Sequence, residues 1–279
     1  MLSYLHGFHA GNHADVLKHL VLVHCLAHMA RKDKPYWYVD THAGAADYAL
    51  DDARALKNAE FETGIARLWG RDDLPPAVED YVACVRAVNP DGALRRYPGS
   101  PRIALDLLRP DDRARLFELH STEIGVLQAN LADAGRRVLV QRGDGFAGLR
   151  SVLPPPPRRG LVLIDPAYED KADYARTRDT LADALSRFAT GTYVVWYPQV
   201  QRRESRDLPE GLANVAGKAW LHASLTVKAP EPGGHGLHGS GVFLVNPPWT
   251  LEATLRQCLP FLARVLGQDG QARFGLQAA

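Results

Sequence analysis

Leu161-Val162-Leu163-Ile164-Asp165-Pro166-Ala167-Tyr168 decides the fold of this chain. Four aliphatic residues in an unbroken run cannot alternate an apolar face with a polar one, so the segment reads as a strand buried on both sides. A carboxylate, a proline and an aromatic follow at once, which marks a strand end with chemistry attached. Runs of the same kind stand at 36–40, 116–119, 138–140, 193–196 and 242–245. Helical periodicity fills most of the intervals, at 14–31, 101–109, 122–134, 171–188 and 250–266. Strands apolar on both faces, alternating with helices, imply an open, doubly wound α/β sheet covered on both sides.

One interval breaks the alternation. The stretch from Asp40 to Glu118 is more than twice the roughly 30 residues that a βαβ unit needs. Residues 47–97 are charged and helical in flavour, with turn signals at Pro75-Pro76 and Asn89-Pro90-Asp91-Gly92. They read as a small helical insertion within one domain spanning 1–279, preceded by an N-terminal segment, 1–13.

Composition narrows the classes. The chain has 279 residues, 46% of them apolar and 23% charged, which is too hydrophobic and too balanced for disorder. Lys and Arg number 33 against 32 Asp and Glu, so a net charge of +1 gives no overt sign of a nucleic-acid partner. Three dispersed cysteines without a CxxC argue against disulfides and cysteine zinc sites, and suit a reducing compartment. The apolar stretch at 20–30 is too short to span a bilayer and is interrupted by His24 and His28. No signal-peptide pattern precedes it. A cytoplasmic protein without membrane contact is expected.

In open α/β sheets ligands gather at the carboxyl ends of strands. Four acidic groups stand there: Asp40, followed by His42 and Gly44; Glu118; Asp144, followed by Gly145 and Phe146; and Asp165. A carboxylate closing the second strand commonly takes ribose hydroxyls. Asp165 and the Pro166 carbonyl can both accept hydrogen bonds from an exocyclic amine, favouring a pyramidal nitrogen whose lone pair attacks in line. Tyr168 is placed to stack on an extruded base. Val245-Asn246-Pro247-Pro248-Trp249 also follows an apolar run, but it closes the last strand in this reading and is expected to be a stiff turn. Ser100, between Gly99 and Pro101, reads as a helix N-cap. Neither a nucleophile elbow nor a P-loop occurs. The His9/His13 and His24/His28 pairs have helical spacing, but no HExxH accompanies them, and no metal is expected.

The Asp165–Tyr168 turn resembles the Asp-Pro-Pro-Tyr motif of S-adenosylmethionine-dependent methyltransferases acting on adenine N6. The chain as a whole resembles the RlmJ family of 23S ribosomal RNA adenine-N6 methyltransferases. The residues carrying that likeness are Met1-Leu2-Ser3-Tyr4, 8–19, Asp40-Thr41-His42-Ala43-Gly44-Ala45, 97–101, Glu118-Leu119-His120, Asp144-Gly145-Phe146 and Trp196-Tyr197-Pro198. The resemblance implies a Rossmann-like class I methyltransferase fold with a small helical insertion, and S-adenosyl-L-methionine as cofactor. It implies Asp165 as the catalytic acceptor and Lys18, His19, His42, Ser100, Glu118, Asp144, Gly145 and Asp165 on the cofactor. It places Tyr4, Pro166 and Tyr168 on the RNA. The implied substrate is adenine 2030 of 23S rRNA, acted on by a monomer. A DNA adenine-N6 methyltransferase, and a non-catalytic RNA- or cofactor-binding protein with a decayed site, are the alternatives. Two positions depart from the family pattern: Ala167 replaces a proline, and Ala46 replaces a glycine, which requires a negative φ there to avoid strain.

Overall fold

The computed structural model describes residues 5–231, 233 and 236–279. Ten strands occur among them: β1 (Trp37–Asp40), β2 (Asp47–Ala49), β3 (Arg96–Pro98), β4 (Arg113–Glu118), β5 (Val138–Arg142), β6 (Gly160–Ile164), β7 (Thr192–Gln199), β8 (Trp220–Thr226), β9 (Gly239–Val245) and β10 (Arg273–Ala278). The helices are α1 (His13–Ala30), α2 (Ala53–Asn58), α3 (Ala66–Trp69), α4 (Pro76–Ala87), α5 (Ser100–Leu107), α6 (Ser121–Asn130), α7 (Gly145–Val152), α8 (Ala172–Arg187), α9 (Arg203–Ala216) and α10 (Leu251–Leu266). Eight strands form one sheet in the order β10-β8-β9-β7-β6-β1-β4-β5. β5, β4, β1, β6 and β7 are mutually parallel, whereas β9 runs antiparallel to both β7 and β8.

The expected doubly wound α/β sheet is what forms, and β6 shows why. Its side chains divide between two cores: Leu161 and Leu163 pack on the face holding α1, while Val162 and Ile164 pack on the face holding α8. The first core also takes Leu17, Leu20 and Leu22 of α1 and Leu255, Leu259 and Leu262 of α10. The second takes Phe146, Leu149, Leu181 and Leu212 from α7, α8 and α9. Residues 47–98 carry α2, α3 and α4 between the paired strands β2 and β3. Tyr81 of α4 shares a 2.9 Å hydrogen bond with Tyr97, whose hydroxyl also lies 2.7 Å from His19 of α1. That chain of hydroxyls ties these helices to the innermost helix.

Several elements escape a pattern reading. β8 and β10 are half-open strands with polar residues on one face, and α9 carries Pro209 in its interior. Their apolar signal is diluted because only one side is covered. Among the described residues, no helix is long and apolar enough to cross a membrane.

Candidate active site

The chain leaves β1 toward β4 on one side and returns at β6 on the other. Loops diverge at such a switch point and open a crevice at the carboxyl ends of the strands. Asp40 closes β1 and is 0% exposed. Burial pushes its pKa up to about 6, against the opposing effect of hydrogen bonds from the Ser100 and Tyr38 hydroxyls, both 2.7 Å. Ser100 therefore is not the helix cap expected from the sequence. Gly99 occupies the cap position of α5, and the Ser100 hydroxyl, one residue inside, bonds Asp40 instead.

The other carboxylates line the crevice. Glu118 accepts the Gly44 amide at 2.8 Å and the His120 amide at 2.6 Å, one on each oxygen. Asp144 caps α7 by accepting the Phe146 amide at 2.9 Å, and its second oxygen takes Arg176 at 2.5 Å. The same guanidinium lies 4.4 Å over the Phe146 ring, and His42 meets that ring edge-on at 4.8 Å. Burial lowers the His42 pKa to about 4, so its ring is neutral near pH 7. Gly145 passes so close to the Thr41 carbonyl that a Cβ there would overlap it. Only glycine lets these two strand-end loops touch.

Asp165 faces α1. Its Oδ2 is 2.7 Å from Lys18 Nζ, which also bridges to Asp15 Oδ1 at 2.9 Å. Its Oδ1 has no hydrogen-bond partner among the described residues. Burial works against the charge of Lys18, but the two carboxylates more than offset it and hold its pKa above the usual value. Asp15 is stabilised as an anion despite burial by His6 and Lys18, and also accepts the Gly11 amide. His19 is buried, its pKa lowered by burial to about 3, and its Nε2 has no partner among the described residues.

Two turns hold unusual backbone. Ala46 sits at φ +68°, correcting the negative φ expected for an alanine there. Tyr168 sits at φ +53° and is 3% exposed, with its ring against Tyr174 at 4.6 Å and its hydroxyl donating to the Trp196 carbonyl. Its ring is thus covered by Tyr174 and Trp196 rather than open to stack on a base, and Pro166, two residues before it, lines the cavity.

Apart from Tyr4, which lies outside the described residues, and Asp40, which is fully buried and does not line it, the residues predicted for the site all line one cavity of about 470 Å³. Sequence reasoning did not place Asp15, Arg176 or Arg202 in the site. Arg202 lines the cavity and donates to the Tyr168 carbonyl at 3.1 Å. No spacing signal marks Arg176, because it reaches Asp144 across two elements. Among the histidine pairs, His9 meets Glu60 at 2.8 Å and His24 meets Thr250 at 2.9 Å. Among the described residues, no group of three or more His, Cys, Asp or Glu is arranged to hold a metal ion.

Asn246 is a stiff turn, as expected, but the strand before it is not the last. β9 lies between β7 and β8, and β10 follows it in the chain. Because β9 is antiparallel, Val245 pairs with Tyr193 at the start of β7, and the turn falls at the edge opposite the cavity.

The family model described as ribosomal RNA large subunit methyltransferase D, RlmJ, matches residues 33–276. Ribosomal RNA large subunit methyltransferase J of Haemophilus influenzae is 44% identical over 271 residues, covering 97% of this chain and 96% of that protein. The protein of the same name from Escherichia coli K12 is 44% identical over 262 residues, covering 94% and 93%. The crystal structure of protein LPL1258 from Legionella pneumophila matches with a TM-score of 0.90 at 34% identity, covering 97% of this chain and 98% of that one. A likeness that runs through the sheet, the residues 47–98 and the crevice alike leaves one conclusion: the chain belongs to the RlmJ family of ribosomal RNA large subunit methyltransferases.

Proposed function

We propose that the protein transfers a methyl group from S-adenosyl-L-methionine to the exocyclic N6 of an adenine in 23S ribosomal RNA, adenine 2030 in the family's pattern. The observation that carries this reading is the pair of acceptors at the end of β6. Asp165 Oδ1 and the Pro166 carbonyl are both without partners among the described residues and both border the cavity.

The residues present fit the cofactor. Each Glu118 oxygen already accepts one backbone amide and keeps a further lone pair for paired ribose hydroxyls. Asp144 and the Phe146 ring suit a purine, and the Nε2 of His19, without a partner among the described residues, is a buried polar atom that a bound ligand would satisfy. When bound, the cofactor supplies an electrophilic methyl on a sulfonium.

The chain's own groups do the rest. Lys18 fixes Asp165 by holding one oxygen, so the other points at the incoming amine without a rotational search. Asp165 Oδ1 and the Pro166 carbonyl each accept a hydrogen bond from an amino N–H, which draws the nitrogen lone pair out of conjugation and aims it at the methyl. The one proton the nitrogen sheds on transfer passes to solvent along the Asp165 hydrogen bond. Proline at 166 has no amide hydrogen to compete for that space. Tyr168 anchors the turn from beneath through Trp196 and Arg202. The reading takes a single copy as the active unit, working in the cytoplasm on ribosomal RNA.

Side-by-side transfer to a 23S rRNA fragment and to duplex DNA of the same sequence tests the substrate. Methylation of the RNA alone is expected. Preferred methylation of the duplex, or tight cofactor binding without turnover on any RNA, contradicts the reading.

A further inference from the structure

Beyond the cavity lies a second concavity that the methyl-transfer account does not use. α10 packs on one face of β8 and β10, while α9 on the other face leaves a groove of about 690 Å³ against them. Its floor is the half-open side of two strands. Trp220, His222 and Ser224 come from β8, and Gly275 and Gln277 stand opposite Ser224 and His222 on β10. Trp220 is stacked on Phe243 at 5.3 Å, and His222 is stacked on Tyr197 at 5.9 Å with a 2.7 Å hydrogen bond to its hydroxyl. These rings are therefore braced from one side and only part-buried on the other. Gly275 leaves the floor without a side chain between the aromatic and the amide groups.

The rim is cationic. Arg206 in the first turns of α9 and Arg273 at the start of β10 are both exposed, and neither forms an ion pair among the described residues. Glu210 is the one acidic group lining the groove among the described residues, and it stands one helical turn beyond Arg206. Charge thus favours a polyanion along the Arg206–Arg273 side and opposes it along α9 farther in.

The groove adjoins the catalytic cavity at Val200, which lines both, and Arg202, one turn before Arg206, lines the cavity itself. β8 runs parallel to β7, so the end of β8 and the start of β10 lie at the same sheet edge as Asp165. Four strand steps separate β6 from the Arg273 end of β10, about 19 Å at ~4.8 Å each. From there the floor runs back along β8 to Trp220, six residues or about 20 Å nearer the far edge, a path that several nucleotides cover. Aromatic sheet faces with cationic rims are a recurrent platform for single-stranded nucleic acid, because every base has a face to stack and every linkage a phosphate to pair.

We infer that this groove takes the single strand of RNA flanking the target nucleotide, with its phosphates toward Arg206 and Arg273 and a base against the Trp220–His222 floor. The inference rests on the ribosomal RNA reading above. It gives the protein a way to select an adenine by its neighbours, outside the pocket that performs the chemistry.

The test uses the full chain, a 23S rRNA fragment carrying both flanks of the target, and fragments trimmed of the 5′ or the 3′ flank. Arg206→Glu/Arg273→Glu removes the rim charge, and Ser224→Trp fills the groove without changing charge. With the complete fragment, the double variant is expected to raise KM by about 10-fold at unchanged kcat and to lower the salt slope of binding by about two. Ser224→Trp should raise KM as well, and one of the trimmed fragments should be insensitive to both. Wild-type KM and salt slope in the double variant overturn the inference. So does an equal loss in the control Arg136→Glu/Arg264→Glu, which changes charge by the same amount elsewhere. If the wild-type protein binds but does not methylate the fragment, while the double variant loses that binding, the groove stands and the reading of function falls.

Discussion

Two turns in this protein have nearly the same texture and opposite fates. Asp165-Pro166-Ala167-Tyr168 and Asn246-Pro247-Pro248-Trp249 each follow a fully buried strand, and each sets a short polar side chain before proline and an aromatic. β6 is parallel to β1 and delivers its turn to the crevice, where Asp165 meets Lys18. β9 is antiparallel to β7 and delivers its turn to the far edge. There the Asn246 side chain donates to the Ala189 and Gly191 carbonyls at 2.8 and 2.7 Å, and Trp249 is 80% exposed. Residue types permit a chemistry, but strand direction decides whether anything is there to react with.

The contrast can be broken at several points. Asp165→Ala should lower turnover by on the order of 10²–10⁴-fold with cofactor affinity retained, whereas Asn246→Ala should leave turnover alone. Comparable losses in both variants, measured by steady-state methyl transfer, would erase the distinction. Lys18→Met leaves Asp15 and Asp165 without their shared cation, and should cost about 3 kcal/mol or more in denaturant unfolding. An unchanged midpoint would mean that the pair contributes nothing to the fold. Asn246→Ala, silent in turnover, should cost about 2 kcal/mol for two lost hydrogen bonds at the far turn.

Acid should act through the crevice side of the molecule. Burial holds His13, His19, His42 and, outside the crevice, His222 neutral, with pKa values lowered from 6.5 to about 4, about 3, about 4 and about 4. Below pH 6.5 the unfolded chain therefore binds four protons that the folded one refuses. Asp40, pushed up to about 6 from 3.8, works the other way by keeping one proton that the unfolded chain sheds. For these five groups the balance near pH 5 is three protons, and stability should fall by about 4 kcal/mol for each unit of acidification. Thermal unfolding followed from pH 6.5 to 4.5 measures this; a flat Tm would refute it. The smallest effect belongs to the turn after β1. Ala46→Gly removes a left-handed alanine and should stabilise by about 1 kcal/mol, without altering transfer. A loss of stability there would show that the Ala46 methyl packs better than its backbone costs.

The parts of this structure that sequence exposes are those where one residue type has few alternatives. A doubly buried strand such as 161–164 can only be aliphatic, and a carboxylate after it is conspicuous. Glu118, Asp144 and Gly145 stood out for the same reason, and the cavity gathers them. What stayed hidden depends on pairing across the fold. Ser100 reads as a cap until Asp40 is seen 2.7 Å away. Ala46 reads as an ordinary residue until the Tyr48 hydroxyl and Gly99 amide pin its turn, through bonds to Ala45 and to the Ala46 carbonyl. Arg176 and Asp15 act through partners that are distant in sequence or already engaged. β8 and β10 are faint because only one of their faces packs on the core, which dilutes the apolar signal.

The most direct measurement of the central claim follows the methyl group itself. The protein is incubated with 23S ribosomal RNA and isotopically labelled S-adenosyl-L-methionine, and the digested nucleosides are resolved by mass spectrometry. The account predicts label in N6-methyladenosine at one position, present with Asn246→Ala and absent with Asp165→Ala. Label in another nucleoside or on ribose, or full labelling by Asp165→Ala, would contradict it.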